Sequence, residues 1–486
     1  MWWGRSALRA VRAPWSHNPR RLLLKGVRWN SVDAHTNEGA LKKILVDSIK
    51  TRGPLTIPAY MQACLTNPDY GYYASKSNAD TTGILGAGGD FITSPEISQV
   101  FGELMAIFFI SRWQSAGQPS RVRLVELGPG RGTLLSDMLR TFAAFPDMLA
   151  ALRSIELVEA SPLFIERQEA MLNETLGKFG RSLANADTPI DALAEHEIRV
   201  EWFASYDQVP VQPDAWTIVM AHEFFDALPI HIFEKQLDGW REVMVDIDEA
   251  KRPVTVIKAS DLGKSDQDKE PELRFVLSPG ATPWSQLLAA NSERFKALQP
   301  GQRVEVSPIS WAAARRFGEL VSGYPALRPT TNGETEAPSA DVAAQRTKPS
   351  MGGCGLMIDY GANHFFSHSF RAFRAHKIVD PLSLPGQSDL TANVDFSFLA
   401  QAVGTTDSLS YGPMPQREFL TALGLSLRVK KLLESNPPAR AKVIEQAAAR
   451  LIDAHGMGKQ YQVLGVSAPA QASAGANEPE EVYPFM

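Results

Sequence analysis

Apolar positions along the chain follow two different periods. Short runs rich in Val, Ile and Leu occur at Arg121–Leu127, Ser154–Glu159, Ile198–Phe203, Trp216–Ala221 and Gly355–Tyr360. Each has the length and continuity of a strand buried on both faces. Helical spacing occupies Thr133–Ala144 and Leu163–Leu176, between the early runs. This alternation predicts βαβ units and a parallel sheet. His231–Glu234 and Arg241–Ile247, joined by Asp238-Gly239, read instead as an antiparallel hairpin inserted after the fourth core strand. Ahead of the sheet, residues 41–120 form a mostly helical region. There Ser94-Pro95-Glu96 offers an N-cap, a proline at the first helical position and an acid in the first turn. One apolar helix is predicted from Pro95 to about Trp113. The domain built on the sheet takes residues 121–466. Periodicity fails at 249–272 and 327–350, read as flexible insertions, and at 467–486, read as a disordered tail.

Composition narrows the class. With 44% hydrophobic and 21% charged residues in 486 positions, the chain can bury a large core. No run of 18 apolar residues exists, so no membrane-spanning helix is predicted. The two cysteines, Cys64 and Cys354, form no CxxC pair, which excludes a disulfide scaffold or a cysteine-based zinc site. Residues 1–30 hold seven basic side chains and no acid. That is the composition of a mitochondrial transit peptide. Without it, 42 basic residues face 54 acidic ones, a net of −12. A protein so acidic is a poor binder of nucleic acid phosphates and a better acceptor of cations.

The strongest local signal is Leu124-Val125-Glu126-Leu127-Gly128-Pro129-Gly130-Arg131-Gly132-Thr133. A buried strand runs into a glycine-rich turn and then a helix, so backbone N–H groups come close to a ligand. A dinucleotide fingerprint would need a third glycine at position 133, where Thr133 stands. The observed E-x-G-x-G-x-G, with Glu126 two residues before Gly128, suits a cationic group and points to S-adenosyl-L-methionine (SAM). Gly128, Gly130 and Gly132 would cradle it, and Glu159, closing the second strand, would accept from its ribose hydroxyls. The fourth strand ends in Ala221-His222-Glu223-Phe224-Phe225-Asp226. A metalloprotease HExxH is disfavoured because the fifth residue is Asp226, and no metal is called for. Glu223 and Asp226 fall where open α/β sheets bind ligands, and suit a guanidinium, which stays charged and offers a planar fork. Capping of the next element is the plainer role for Asp226. Asp90 and Glu96, in Gly89-Asp90-Phe91-Ile92-Thr93-Ser94-Pro95-Glu96, are candidates on a lid over the site.

Taken together, these segments resemble the MidA family, the mitochondrial complex I assembly factor 7 type of protein arginine methyltransferase. The likeness runs from Asp69-Tyr70-Gly71-Tyr72-Tyr73 through Phe101-Gly102-Glu103-Leu104, His222–Pro229, Gly239–Asp248 and Asp389–Phe396 to Met457-Gly458. It implies an α/β, Rossmann-like class I SAM-dependent methyltransferase of the mitochondrial matrix. The implied reaction is symmetric dimethylation of an arginine on a complex I core subunit of the quinone module. Catalysis would then rest on proximity and on carboxylates that aim the nucleophile. A SAM-binding assembly chaperone without catalysis, a small-molecule methyltransferase and an NAD-dependent oxidoreductase are the alternatives.

Overall fold

The computed structural model describes residues 39–73, 93–249, 271–327, 340–470 and 481–485. The predicted transit segment 1–30 and the lid candidate Asp90 lie outside these. Helix Ala40–Arg52 buries Leu41, Leu45, Val46 and Ile49 along one face. The short strand β1 (Leu55–Thr56) follows, and then helix Ile57–Thr66, capped by the Thr56 side chain, which accepts from the Ala59 N–H.

The single helix predicted from Pro95 is in fact two. The backbone is extended at Ser98 (φ −157°), leaving a four-residue helix, Ser94–Ile97, and a second of 17 residues, Gln99–Ser115. Ser98 caps the second helix by accepting from the Val100 N–H, whereas Ser94 lies inside the first and caps nothing. A serine that bonds the backbone locally competes with helix continuation, and here it wins. Gln99–Ser115 is buried nearly all round, from Phe101 through Met105 to Phe109, as its unbroken apolar run requires.

The main sheet then begins with β2 (Val122–Leu127), β3 (Leu152–Val158), β4 (Ser182–Ala184), β5 (Glu197–Phe203) and β6 (Trp216–His222). All neighbours among them are parallel. Every residue of β2 and β6 is buried, the pattern of a sheet covered on both faces. The expected hairpin follows as β7 (His231–Gln236) and β8 (Gly239–Ile247). With β1, β9 (Leu273–Leu277) and β10 (Arg303–Val306) it makes a second, five-stranded sheet. Helix Pro308–Ser322 leads the chain back to the main sheet. There β11 (Gly353–Ala362) runs parallel to β6. Strands β12 (Arg371–Arg374), β13 (Lys377–Val379) and β14 (Asp389–Thr391) form a small third sheet, and β15 (Val394–Asp395) pairs with the end of β11. Last come β16 (Leu409–Pro415), four helices between Gln416 and Gln460, and β17 (Tyr461–Ala468), which slots antiparallel between β11 and β16.

The main sheet therefore reads β16-β17-β11-β6-β2-β3-β5-β4. The chain winds outward from β2 through β3 to β5, then crosses back to the other side of β2 at β6. That reversal puts a ligand crevice at the carboxyl ends of β2 and β6. The architecture is the α/β, Rossmann-like one expected, with a β-rich insertion.

Two of the segments expected to be unstructured need correction. Residues 340–346, inside the 327–350 insertion, form a helix. In the 467–486 tail, Ser467 and Ala468 complete β17, Val482 is buried, and Phe485 packs on Phe108 and Phe419. Polar composition averaged over the tail hid the apolar Val482-Tyr483-Pro484-Phe485. Gly465 leaves the room: a Cβ there would lie 2.6 Å from the Phe485 ring. Most of the 249–272 insertion lies outside the described residues.

Candidate active site

Strand β2 delivers Glu126 and then turns at once. Gly128 (φ 68°), Gly130 (φ 53°) and Gly132 (φ 79°) all take the left-handed backbone that side chains resist. A Cβ on Gly128 would also sit 3.0 Å from Phe224, and one on Gly132 only 2.3 Å from Met171. Helix Thr133–Phe142 starts immediately after Gly132 with no side-chain cap, so its first N–H groups remain available to a ligand. Glu126 is 2% exposed, and its Oε2 has no hydrogen-bond partner among the described residues. Burial alone pushes its pKa up to about 8. A buried carboxyl with an orphaned oxygen is unstable bookkeeping unless a cationic donor arrives, as the ammonium of SAM would.

Glu159 lies one residue past β3, beside this loop. Its Oε1 accepts from the Ser161 N–H at 2.8 Å and its Oε2 from Gln168 Nε2 at 3.2 Å. Gln168 also donates to the Gly130 carbonyl at 2.6 Å and accepts from Trp202 Nε1 at 2.9 Å. Gln168 thus ties the ribose candidate to the glycine turn, a link no local motif announced. Burial raises the Glu159 pKa to about 7 in spite of these donors.

At the end of β6, Glu223 adopts φ 51°, a conformation costly for a residue with a side chain and held here by its N–H bond to the Ile358 carbonyl. Its carboxyl is buried and accepts from the Tyr461 hydroxyl at 3.1 Å. His222 Nε2 lies 3.5 Å from the same oxygen and has no hydrogen-bond partner among the described residues. Burial, then the nearby Asp226 and Glu96, raise the Glu223 pKa well above the ordinary carboxylate range, while Tyr461 and the Ser94 backbone oppose them. Asp226 is placed differently. Its Oδ2 accepts from the Tyr360 hydroxyl, and Arg371 lies close enough to lower its pKa against the upward push of burial. Asp359, in the C-terminal half of β11, accepts from the N–H groups of Phe225 and Asp226 at 3.0 and 3.2 Å. Sequence reading missed Asp359, Tyr360 and Tyr461, because they lie within apolar strands and only the strand order brings them to the end of β6.

The helix Ser94–Ile97 closes one side. Glu96 faces Arg131 of the glycine turn at 3.8 Å, and its Oε2 is buried without a hydrogen-bond partner among the described residues. Burial outweighs Arg131 and raises its pKa. Glu126, Glu96, Glu223 and Asp226 thus gather acidic oxygens in the region of the β2–β6 crevice. Two of them lack donors, which suits a ligand carrying positive charge.

Comparison with known proteins bears on the fold and the cofactor. A family model for S-adenosyl-L-methionine-dependent methyltransferases matches residues 104–414. The mitochondrial protein arginine methyltransferase NDUFAF7 of Xenopus tropicalis is 36% identical over 435 residues, covering 89% of this chain and 86% of its own. The protein of that name from Homo sapiens is 36% identical, covering 87% and 82%. A COG1565 superfamily member from Burkholderia thailandensis, bound to S-adenosyl-homocysteine, superposes with a TM-score of 0.64. It is 22% identical and covers 91% of this chain and 96% of its own.

Proposed function

We propose an acceptor and a site for this chain, which belongs to the mitochondrial protein arginine methyltransferase NDUFAF7 family and to the SAM-dependent methyltransferases. SAM supplies an electrophilic methyl group on a sulfonium. Glu126 takes its ammonium, the Gly128–Gly132 turn gives backbone N–H groups and close approach, and Glu159 accepts from its ribose. Glu223 receives the guanidinium of a protein arginine, with Glu96 facing it from the short helix and Asp226 behind it. The guanidinium nitrogen would form its bond to the methyl as the sulfur–methyl bond breaks and S-adenosyl-homocysteine leaves, and one N–H proton would pass to solvent while the buried carboxylates hold the cation in place. Proximity supplies most of the rate.

The observation that carries this reading is the position of Glu223: a buried acid at the switch point of the sheet, held in a costly backbone conformation. The acceptor belongs to a complex I core subunit of the quinone module, two methyl groups are added symmetrically, and the work is done in the mitochondrial matrix. The family resemblance supports each of these. Among the described residues no helix is long and apolar enough to cross a membrane. Mass spectrometry of complex I subunits from cells with and without the protein tests the reading. Loss of one symmetric dimethylarginine upon deletion is expected, and restoration by wild type but not by Glu223→Gln. Full modification in the deletion strain would defeat it.

A further inference from the structure

Strands β11 and β17, which continue the sheet beside β6, carry a feature that the function above does not use. Tyr360 of β11 and Tyr461 of β17 are directly opposite in the antiparallel register. Their rings are 5.6 Å apart and both are buried. Each hydroxyl donates to a different acid at the end of β6: Tyr360 to Asp226, Tyr461 to Glu223. We propose that Tyr461 is a positioning residue that holds the Glu223 carboxyl aimed at a cationic acceptor, while Asp226 is engaged by Tyr360 instead. The proposal rests on the reading of Glu223 as the guanidinium's partner.

The surroundings show why a donor is needed there. Glu223 faces Glu96 and the Ser94 N–H from the short helix, and His222 on its own strand. Asp226 lies beyond it, with Asp359 and Tyr360 on β11 and Tyr461 on β17. Arg131 is nearest to Glu96, and Arg371 to Asp226 and Tyr360. No cation therefore serves Glu223 directly among the described residues. Burial and two neighbouring acids favour its neutral form; the Tyr461 hydroxyl and the Ser94 N–H favour the charged one. The phenol is a donor here and not a proton source, since burial and the adjacent acids push its own pKa well up. The bond also fixes which way the carboxyl points, because Tyr461 stacks on His222 with ring planes 18° apart and has little freedom.

Tyr461→Phe removes the hydroxyl and keeps the ring. In full-length protein, the protonation of Glu223 can be followed by infrared difference spectra against Glu223→Gln, without any need for turnover. The Glu223 midpoint is expected to move up by about one pH unit in Tyr461→Phe. The acidic limb of the methyl-transfer profile should move with it, leaving SAM affinity unchanged. In a Glu223→Gln background the Tyr461→Phe change should add nothing. An unmoved midpoint, or a pH-independent loss that adds to that of Glu223→Gln, overturns the proposal. Should Tyr461→Phe not fold, a ring-fluorinated tyrosine at 461, a stronger donor, is expected to move the midpoint down, and an unmoved one again overturns it. If wild type shows the infrared behaviour but methylates no arginine, the acceptor assignment fails while the role of Tyr461 stands.

Discussion

At the residue scale, the site is a set of acids kept from their ordinary behaviour, and that makes them testable one at a time. Glu223→Gln keeps shape and removes charge. Loss of the counter-charge to a desolvated guanidinium costs about 3–5 kcal/mol. That is on the order of 100-fold or more in rate. Methyl transfer should fall by that much in a labelled-SAM assay while calorimetric SAM affinity stays near wild type. Gly128→Val places a β-branched side chain at φ 68° and against Phe224. Thermal unfolding should persist with SAM binding lost. Glu126 has a pKa of about 8 in the free protein, so it is largely protonated at pH 7. An arriving ammonium favours the carboxylate and expels that proton. SAM binding is therefore expected to release protons, and to tighten as pH rises from about 6 to 8. Calorimetry in buffers of different ionisation enthalpy measures the release, and its absence would remove Glu126 from the ammonium site.

At the scale of elements, the short helix Ser94–Ile97 does what a continuous helix would not. The break at Ser98 frees four residues to bring Glu96 to Arg131 and the Ser94 N–H to Glu223. Glu96→Gln should raise the KM for the protein acceptor more than it changes SAM affinity, which steady-state kinetics with each substrate varied would separate. The same elements show what the sequence could and could not disclose. The β2 strand and its glycine turn were legible because cause and effect lie within ten residues: apolar run, bend, helix start. Glu223 was legible for a similar reason, as the first acid past a buried strand. Tyr461 was not, because it meets Glu223 across 238 positions of sequence and only the strand order brings them together. Ser98 reads in the sequence as one more residue of a helix, since its side-chain bond to Val100 leaves no trace in hydrophobic periodicity.

For the whole molecule, the raised acids sum to a dependence on pH. Glu126 lies at about 8 in the folded chain, and Glu159 and Asp137 at about 7, all because of burial. Such groups bind protons more tightly folded than unfolded. Their contribution to stability is therefore full below the ordinary carboxylate range and is lost as pH rises through 7 to 8. The ligand-free protein should melt at a higher temperature near pH 6 than near pH 8, and SAM should narrow the difference. Scanning calorimetry at both values decides it. The basic segment 1–30 is an address in this reading, so removing it should leave a folded protein that stays in the cytosol. Import of the truncated chain into mitochondria would refute that.

The late position of β17 has a consequence for how the protein comes into being. The sheet is begun by β2 near residue 122, yet the strand that slots between β11 and β16 starts only at Tyr461. A chain threaded out of a ribosome or through an import pore from its N-terminus presents β2, β6 and β11 long before their last neighbour exists. Until then β11 has an open edge, and the acids at the end of β6 wait without the hydroxyl that orients one of them. Catalytic competence would thus wait until Tyr461 has emerged and paired. Chains halted before residue 461 would expose a strand edge prone to the wrong pairing, and such nascent chains are natural clients for chaperones.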